Sequence, residues 1–108
     1  MAIRRRKRPL TGGACYHSQQ CVEKYLKAFL THQSHPFPHT HDLLALKDLC
    51  ARADPFFVLD EDMLERLNAY AVGIRYPGEV ATIEEAREAV AAMRTVRRFA
   101  RSKLELTE

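Results

Sequence analysis

The sequence predicts an all-α fold, a four- to five-helix up-and-down antiparallel bundle. Three observations carry this. Apolar residues recur at three- and four-residue spacings in separate segments, the period of a helix with one buried face. No segment alternates with period two, as a half-buried strand would. The breaks between segments are short and rich in proline, glycine and capping residues, which makes neighbouring helices antiparallel.

Residues 1–12 are charged and lead into Gly12-Gly13, the chemistry of a basic arm or a truncated first helix. The bundle domain is expected over 13–108. Its first helix starts near Ala14 and runs to about His32, with Val22, Leu26, Phe29 and Leu30 on the apolar face and Tyr25 beside it. Glu23 and Lys27 lie four apart on the other side, acid first, the favoured order for a helical ion pair. Pro36 and Pro38 stop this helix. A second helix fits 41–53, with Leu43, Leu46, Leu49, Cys50 and Ala53 on one side and Asp54-Pro55 at its end. Phe56, Phe57 and Val58 are too few for a strand and are expected to plug the core from a loop.

A third helix fits about 61–73, capped by Asp60 and burying Met63, Leu64, Leu67 and Ala71. Arg75-Tyr76-Pro77-Gly78 reads as a break, because a residue before proline avoids the helical region and Pro-Gly favours a turn. The last helix has the clearest start. Thr82 and Glu85 form a capping box, and Ala86, Ala89, Val90, Met93, Val96, Phe99, Ala100 and Leu104 carry the apolar side. Acidic residues crowd its start; Arg94, Arg97, Arg98, Arg101 and Lys103 crowd its end, which suits the helix dipole and a solvated face.

A chain of 108 residues with 46% apolar content supports one modest core, and an oligomeric partner would add to it. Cys15, Cys21 and Cys50 are odd in number and form no C-x-x-C pair, so they are expected to be buried free thiols in a reducing, cytoplasmic compartment. No apolar run reaches membrane-spanning length, and no signal peptide is read. The formal charge is +3, but Arg4, Arg5, Arg6, Lys7 and Arg8 supply five positives; the other 12 basic residues face 14 acidic ones. The body is therefore not a basic platform for duplex nucleic acid. The arm either touches RNA phosphates or keeps a chain end in water.

Four pieces, taken in order, resemble one family. The segment His17-Ser18-Gln19-Gln20-Cys21-Val22-Glu23-Lys24-Tyr25-Leu26-Lys27-Ala28 is similar to a helix of the HEPN family, helical domains of prokaryotes and higher eukaryotes. Thr40-His41-Asp42-Leu43 looks like the start of its next helix, Arg75-Tyr76-Pro77 like its following break, and Thr82 with Glu85 like the start of its last helix. The likeness covers about residues 14–100. It implies an up-and-down bundle, a homodimer, a bound nucleotide such as ATP, and a small nucleotidyltransferase partner in a toxin–antitoxin-like pair. Other members are metal-independent endoribonucleases. That branch places a histidine a few residues after an arginine, and no histidine follows Arg75 here. The imidazole that would serve as acid or base is missing from that place. The family also has most of a helix where this chain has its arginine-rich first residues.

The residues expected to touch a ligand are Gln20, Glu23, Lys24, Lys27, His41, Asp42, Arg75 and Tyr76. Gln20, Glu23, Lys24 and Lys27 share one helix face, which offers positive charge for phosphate and an amide for base or sugar. No glycine-rich phosphate loop accompanies them. Asp42 suits a first helical turn; His41 either caps that helix or holds a tyrosine hydroxyl. Arg75 presents a planar fork beside a rigid proline turn. His32, His35, His39 and His41 cluster across a proline-broken loop, but their spacing matches no standard metal site and solvent exposure is expected. No catalytic residue or metal is assigned.

Overall fold

A computed structural model describes residues 2–70 and 81–106, with the side chains of 12–70 and 81–105. The described residues form four helices and no strand: α1 (Ala2–His32), α2 (Leu43–Ala53), α3 (Glu61–Asn68) and α4 (Ile83–Leu106). The all-α bundle is as expected. Arg75, Tyr76 and the turn around them, together with residues 71–73 of the expected third helix, lie outside the described residues.

The first difference is the length of α1. It begins at Ala2 rather than near Ala14 and passes through Pro9, Gly12 and Gly13 without interruption. Pro9 has no N–H to donate to the preceding turn, and each glycine costs backbone entropy, so the sequence has little reason of its own to be helical there. The C-terminal end is better specified. Ser34 adopts φ 55°. Its N–H bonds Thr31 O at 3.0 Å, and the His35 N–H bonds Leu30 O at 2.9 Å. This is a Schellman closure, with serine in the left-handed position that glycine usually takes. Backbone geometry thus ends α1 before the prolines are reached.

The other ends follow their capping chemistry. Asp42 is the N-cap of α2, accepting from the N–H groups of Leu44 and Ala45. That places it one residue outside the helix, which starts at Leu43 and not at His41. Asp60 caps α3 by accepting from Asp62 N–H. At α4, Glu85 N–H donates to Thr82 Oγ1 at 3.0 Å and Thr82 N–H to Glu85 Oε1 at 2.9 Å, the reciprocal capping box.

The core gathers the expected stripes. Val22, Leu26, Phe29 and Leu30 of α1 cluster with Leu43, Leu46 and Cys50 of α2, Leu64 and Leu67 of α3, and Ala89 and Val96 of α4, joined by Ala92, which lay outside the expected stripe. Of the Phe56-Phe57-Val58 run only Phe57 plugs the core; Phe56 and Val58 are exposed. The Phe57 ring lies 4.6 Å from Phe29 and 5.0 Å from Phe99, the latter edge-on. This aromatic cluster ties the connection after α2 to both long helices. Cys15 and Cys50 are buried and Cys21 half-buried, and all three are free thiols. The Cys50 thiol donates to Leu26 O, and burial pushes it up to about 12.

Helix directions follow from the connections. The α2–α3 pair is antiparallel, with Glu61 beside Lys47 and Asn68 beside Leu43. The link from α1 to α2 is no tight turn. Residues 33–42 run back along α1, so that His41 lies against Gln19 and Glu23 while Cys50 reaches Leu26. α2 therefore advances in the same general sense as α1, not antiparallel to it as short breaks would make it, because the 33–42 link is long enough to return along α1. This return puts the Thr40-His41-Asp42 step against the middle of α1.

Candidate functional site

Gln19 falls on the core side of α1, three residues before Val22 and seven before Leu26, and is fully buried. A buried amide needs partners. Gln19 Nε2 donates to the carbonyl of His41 at 3.2 Å, and its Oε1 accepts from Gln20 Nε2 at 2.9 Å. The backbone at His41 is thereby tethered to α1.

One turn further along, Glu23 is buried as well, with its side chain only 8% exposed. It does not lie on a solvated side of the helix, as its spacing from the apolar stripe suggested, because residues 33–42 cover it. Its Oε2 accepts from Lys27 Nζ at 2.9 Å, and its two oxygens lie 3.0 and 3.1 Å from His41 Nδ1. Burial pushes the Glu23 carboxyl up, but the hydrogen bonds and charges of Lys27 and His41 together outweigh it and hold the group below its ordinary value.

A carboxylate can only accept, so His41 Nδ1 carries the proton in this pair. In the neutral ring the other nitrogen, Nε2, then keeps its lone pair; in the charged ring it is a second donor. The His41 side chain is 63% exposed, so that nitrogen is open to a group from outside the chain. A buried carboxylate that fixes the tautomer and orientation of an exposed imidazole is the arrangement found where histidine acts as a base or a ligand. Asp42, not His41, caps α2, and among the described residues no tyrosine hydroxyl bonds the His41 ring.

Asp42 and Thr40 build the frame. Asp42 N–H donates to Thr40 Oγ1 at 3.1 Å. Asp42 Oδ1 also accepts from Asn68 Nδ2 at 2.8 Å, and Asn68 Oδ1 accepts from Leu43 N–H at 2.8 Å. Asp42 is thus a structural clamp between α2 and α3. Lys27 Nζ sits 5.9 Å from the centre of the Phe37 ring, which adds a cation–π contact to its ion pair.

Of the expected residues, Gln20, Glu23, Lys27, His41 and Asp42 come together. Lys24 is exposed and makes no ion pair among the described residues. Arg75 and Tyr76 lie outside the described residues. Gln19, Asn68 and Phe37 were not anticipated. Gln19 was detectable, since a glutamine on the core stripe must find a partner. Asn68 had no local signal, because its two bonds reach residues far away in the chain. Among the described residues no three His, Cys, Asp or Glu side chains converge as a metal site.

The HEPN domain family model matches residues 4–103, nearly the whole chain. The chain belongs to the HEPN domain family. Membership supports a nucleotide-binding or ribonuclease-like helical module. The match begins at residue 4, so the family pattern includes the first part of α1. No curated protein and no solved structure matches the chain.

Proposed function

We propose that this HEPN domain is a dimeric module that binds a nucleotide at the Glu23–Lys27–His41 cluster and pairs with a small nucleotidyltransferase in a toxin–antitoxin-like system. One observation carries the ligand reading: buried Glu23 holds Lys27 and His41 side by side while the His41 ring stays exposed. Lys27, the exposed Lys24 and, in the charged ring, His41 Nε2 supply donors for phosphate, and Gln20 an amide for base or sugar. Glu23 offsets the Lys27 charge, so affinity is expected between micromolar and millimolar, about −8 to −4 kcal/mol. Calorimetry with ATP, GTP and AMP tests this. Binding that weakens about tenfold in Lys27→Ala and His41→Ala supports it; no heat from any of the three at ~1 mM rejects the site for common nucleotides. Co-expression with a nucleotidyltransferase encoded beside this chain tests the pairing, through co-elution of the two proteins.

The oriented imidazole favours a second reading, a metal-independent endoribonuclease. His41 Nε2 would take the proton from a ribose 2′-hydroxyl, whose oxygen would bond the adjacent phosphorus as the P–O5′ bond breaks, water would protonate the departing 5′-oxygen, and Arg75 would bind the phosphate. Structured RNA incubated with the protein and chelator decides it. Cleavage lost in His41→Ala and Arg75→Ala supports catalysis, and intact RNA with the unaltered protein excludes it.

A further inference from the structure

Four arginines of α4 stand apart from every site above. Arg94, Arg97, Arg98 and Arg101 are all exposed, and the described lining of a surface groove of about 470 Å³ consists of these four with Ser102 and Glu105. Helix-dipole chemistry does not account for them. The dipole acts within the last turn, and the basic residue there is Lys103; even Arg101 lies five residues before the end at Leu106. Ion pairing does not account for them either. Lys27, Lys47 and Lys103 each hold a carboxylate at 2.8 or 2.9 Å. None of the four arginines makes an ion pair among the described residues. Glu105 has the i,i+4 spacing to Arg101 and still does not pair with it.

Their mutual spacing is unfavourable. Arg94–Arg98 and Arg97–Arg101 are i,i+4 like-charge pairs, and Arg94–Arg97 and Arg98–Arg101 are i,i+3 pairs, all of which weaken a helix. An anion laid along the row relieves that repulsion. The row covers two turns, about 10 Å of helix rise, so it suits a polymer of regularly spaced charges better than one small anion. Guanidinium forks match phosphate oxygens in a bidentate fashion. An acidic membrane surface fits less well, because the apolar residues level with the arginines, Val96 and Ala100, are buried in the core, and the exposed Ile83 lies about three turns before Arg94. Base reading is also absent: the aromatic side chain on α4, Phe99, packs edge-on against Phe57.

We propose that this face of α4 binds the phosphate backbone of a single-stranded nucleic acid, without sequence preference and independently of the Glu23–His41 cluster. Single-strand binding loses about 0.7 of a unit of salt slope for each phosphate contact removed.

The test is fluorescence anisotropy with a labelled 20-nucleotide oligouridine RNA and an oligothymidine DNA of equal length, titrated at several salt concentrations. The triple variant R97Q/R98Q/R101Q keeps good helix formers, and circular dichroism checks that it folds. Its log K against log salt slope is expected to fall by about 2 in magnitude for both strands. A second variant, with Arg4, Arg5, Arg6 and Arg8 replaced by glutamine, separates the N-terminal charges and is expected to retain the α4-dependent part. The proposal is overturned if the triple variant binds with the unaltered affinity and slope, if the N-terminal variant loses all binding, or if the unaltered protein binds neither strand at low salt. Binding to phosphatidylserine vesicles that is tighter than to either strand and is lost in the triple variant would instead assign the face to a membrane.

Discussion

Glu23 shows how one buried carboxylate can serve both packing and chemistry. Its cost of burial is offset by two partners from different parts of the chain, and those partners are the groups offered to a ligand. Replacing it with glutamine leaves Lys27 without its anion and His41 without a fixed tautomer, and is expected to lower stability by about 2 kcal/mol in a urea titration at pH 7. The pH dependence has a definite sign. The folded chain holds Glu23 below the ordinary carboxyl value of 4.5, so as pH falls the unfolded chain takes up the proton first. The stabilisation is complete above about pH 4.5 and is lost as pH drops through the lowered folded value. Glu23→Gln should therefore flatten the acid limb of stability against pH. Nitrogen NMR of the His41 ring should show the proton on Nδ1 in the unaltered protein and a mixture of tautomers in the variant. An unchanged ring signal would remove the basis for an oriented imidazole.

Single side chains in the Phe56-Phe57-Val58 run behave as differently as any in the molecule. Phe57 is 1% exposed and Phe56 78%. Phe57→Ala is expected to cost about 3–5 kcal/mol through the cavity left between Phe29 and Phe99. Phe56→Ala should cost about 0.5 kcal/mol or less, its contact being with Lys103 at 5.8 Å. Equal midpoints for the two variants would contradict this packing.

Among the elements, α1 departs most from local preference. Gly12 and Gly13 lie inside the helix, and a Cβ added at either meets nothing within 4 Å. Alanine at each position should therefore raise stability by about 1 kcal/mol and increase helical ellipticity. No gain would mean that the helix does not run through this pair in solution. At the other end, Ser34 holds a positive φ that glycine adopts freely. Ser34→Gly should gain about 1 kcal/mol, read as a rise in thermal midpoint. Capping at Asp60 and at Thr82 with Glu85 was readable from adjacent residues, because those bonds span three residues or fewer. The exact starts of α1 and α2 were not. Proline and glycine argued against helix in residues 2–13, and Asp42 takes the cap position from outside α2, with Asn68 of α3 holding it in place.

The molecule as a whole measures 50 × 24 × 21 Å, its long axis matching the ~46 Å expected of the 31-residue α1. A second groove, of about 430 Å³, runs along α4 between Ile83, Ala86, Arg87, Val90, Ala91 and Arg94, the last shared with the arginine row, and Ile83 is 64% exposed. This apolar strip supports the proposed dimer. Ile83→Asp combined with Val90→Asp should shift the sedimentation mass from dimer to monomer with little change in helix content; a monomeric parent protein would exclude the dimer.

Periodicity and capping along the chain determined the all-α class, the four core stripes, the ends of α1 and α2 and the starts of α3 and α4, because those signals arise between residues within one or two turns; α3 stops at Asn68, short of the expected 73. The same residues marked Glu23, Lys27 and His41 as candidates but gave no relation among them. Tertiary packing decided that relation. The 33–42 segment folds back over α1, buries Gln19 and Glu23, and brings His41 to a carboxylate 18 positions earlier in the chain. Burial and long-range pairing depend on how a connection runs through space, and no spacing along a single helix encodes that path.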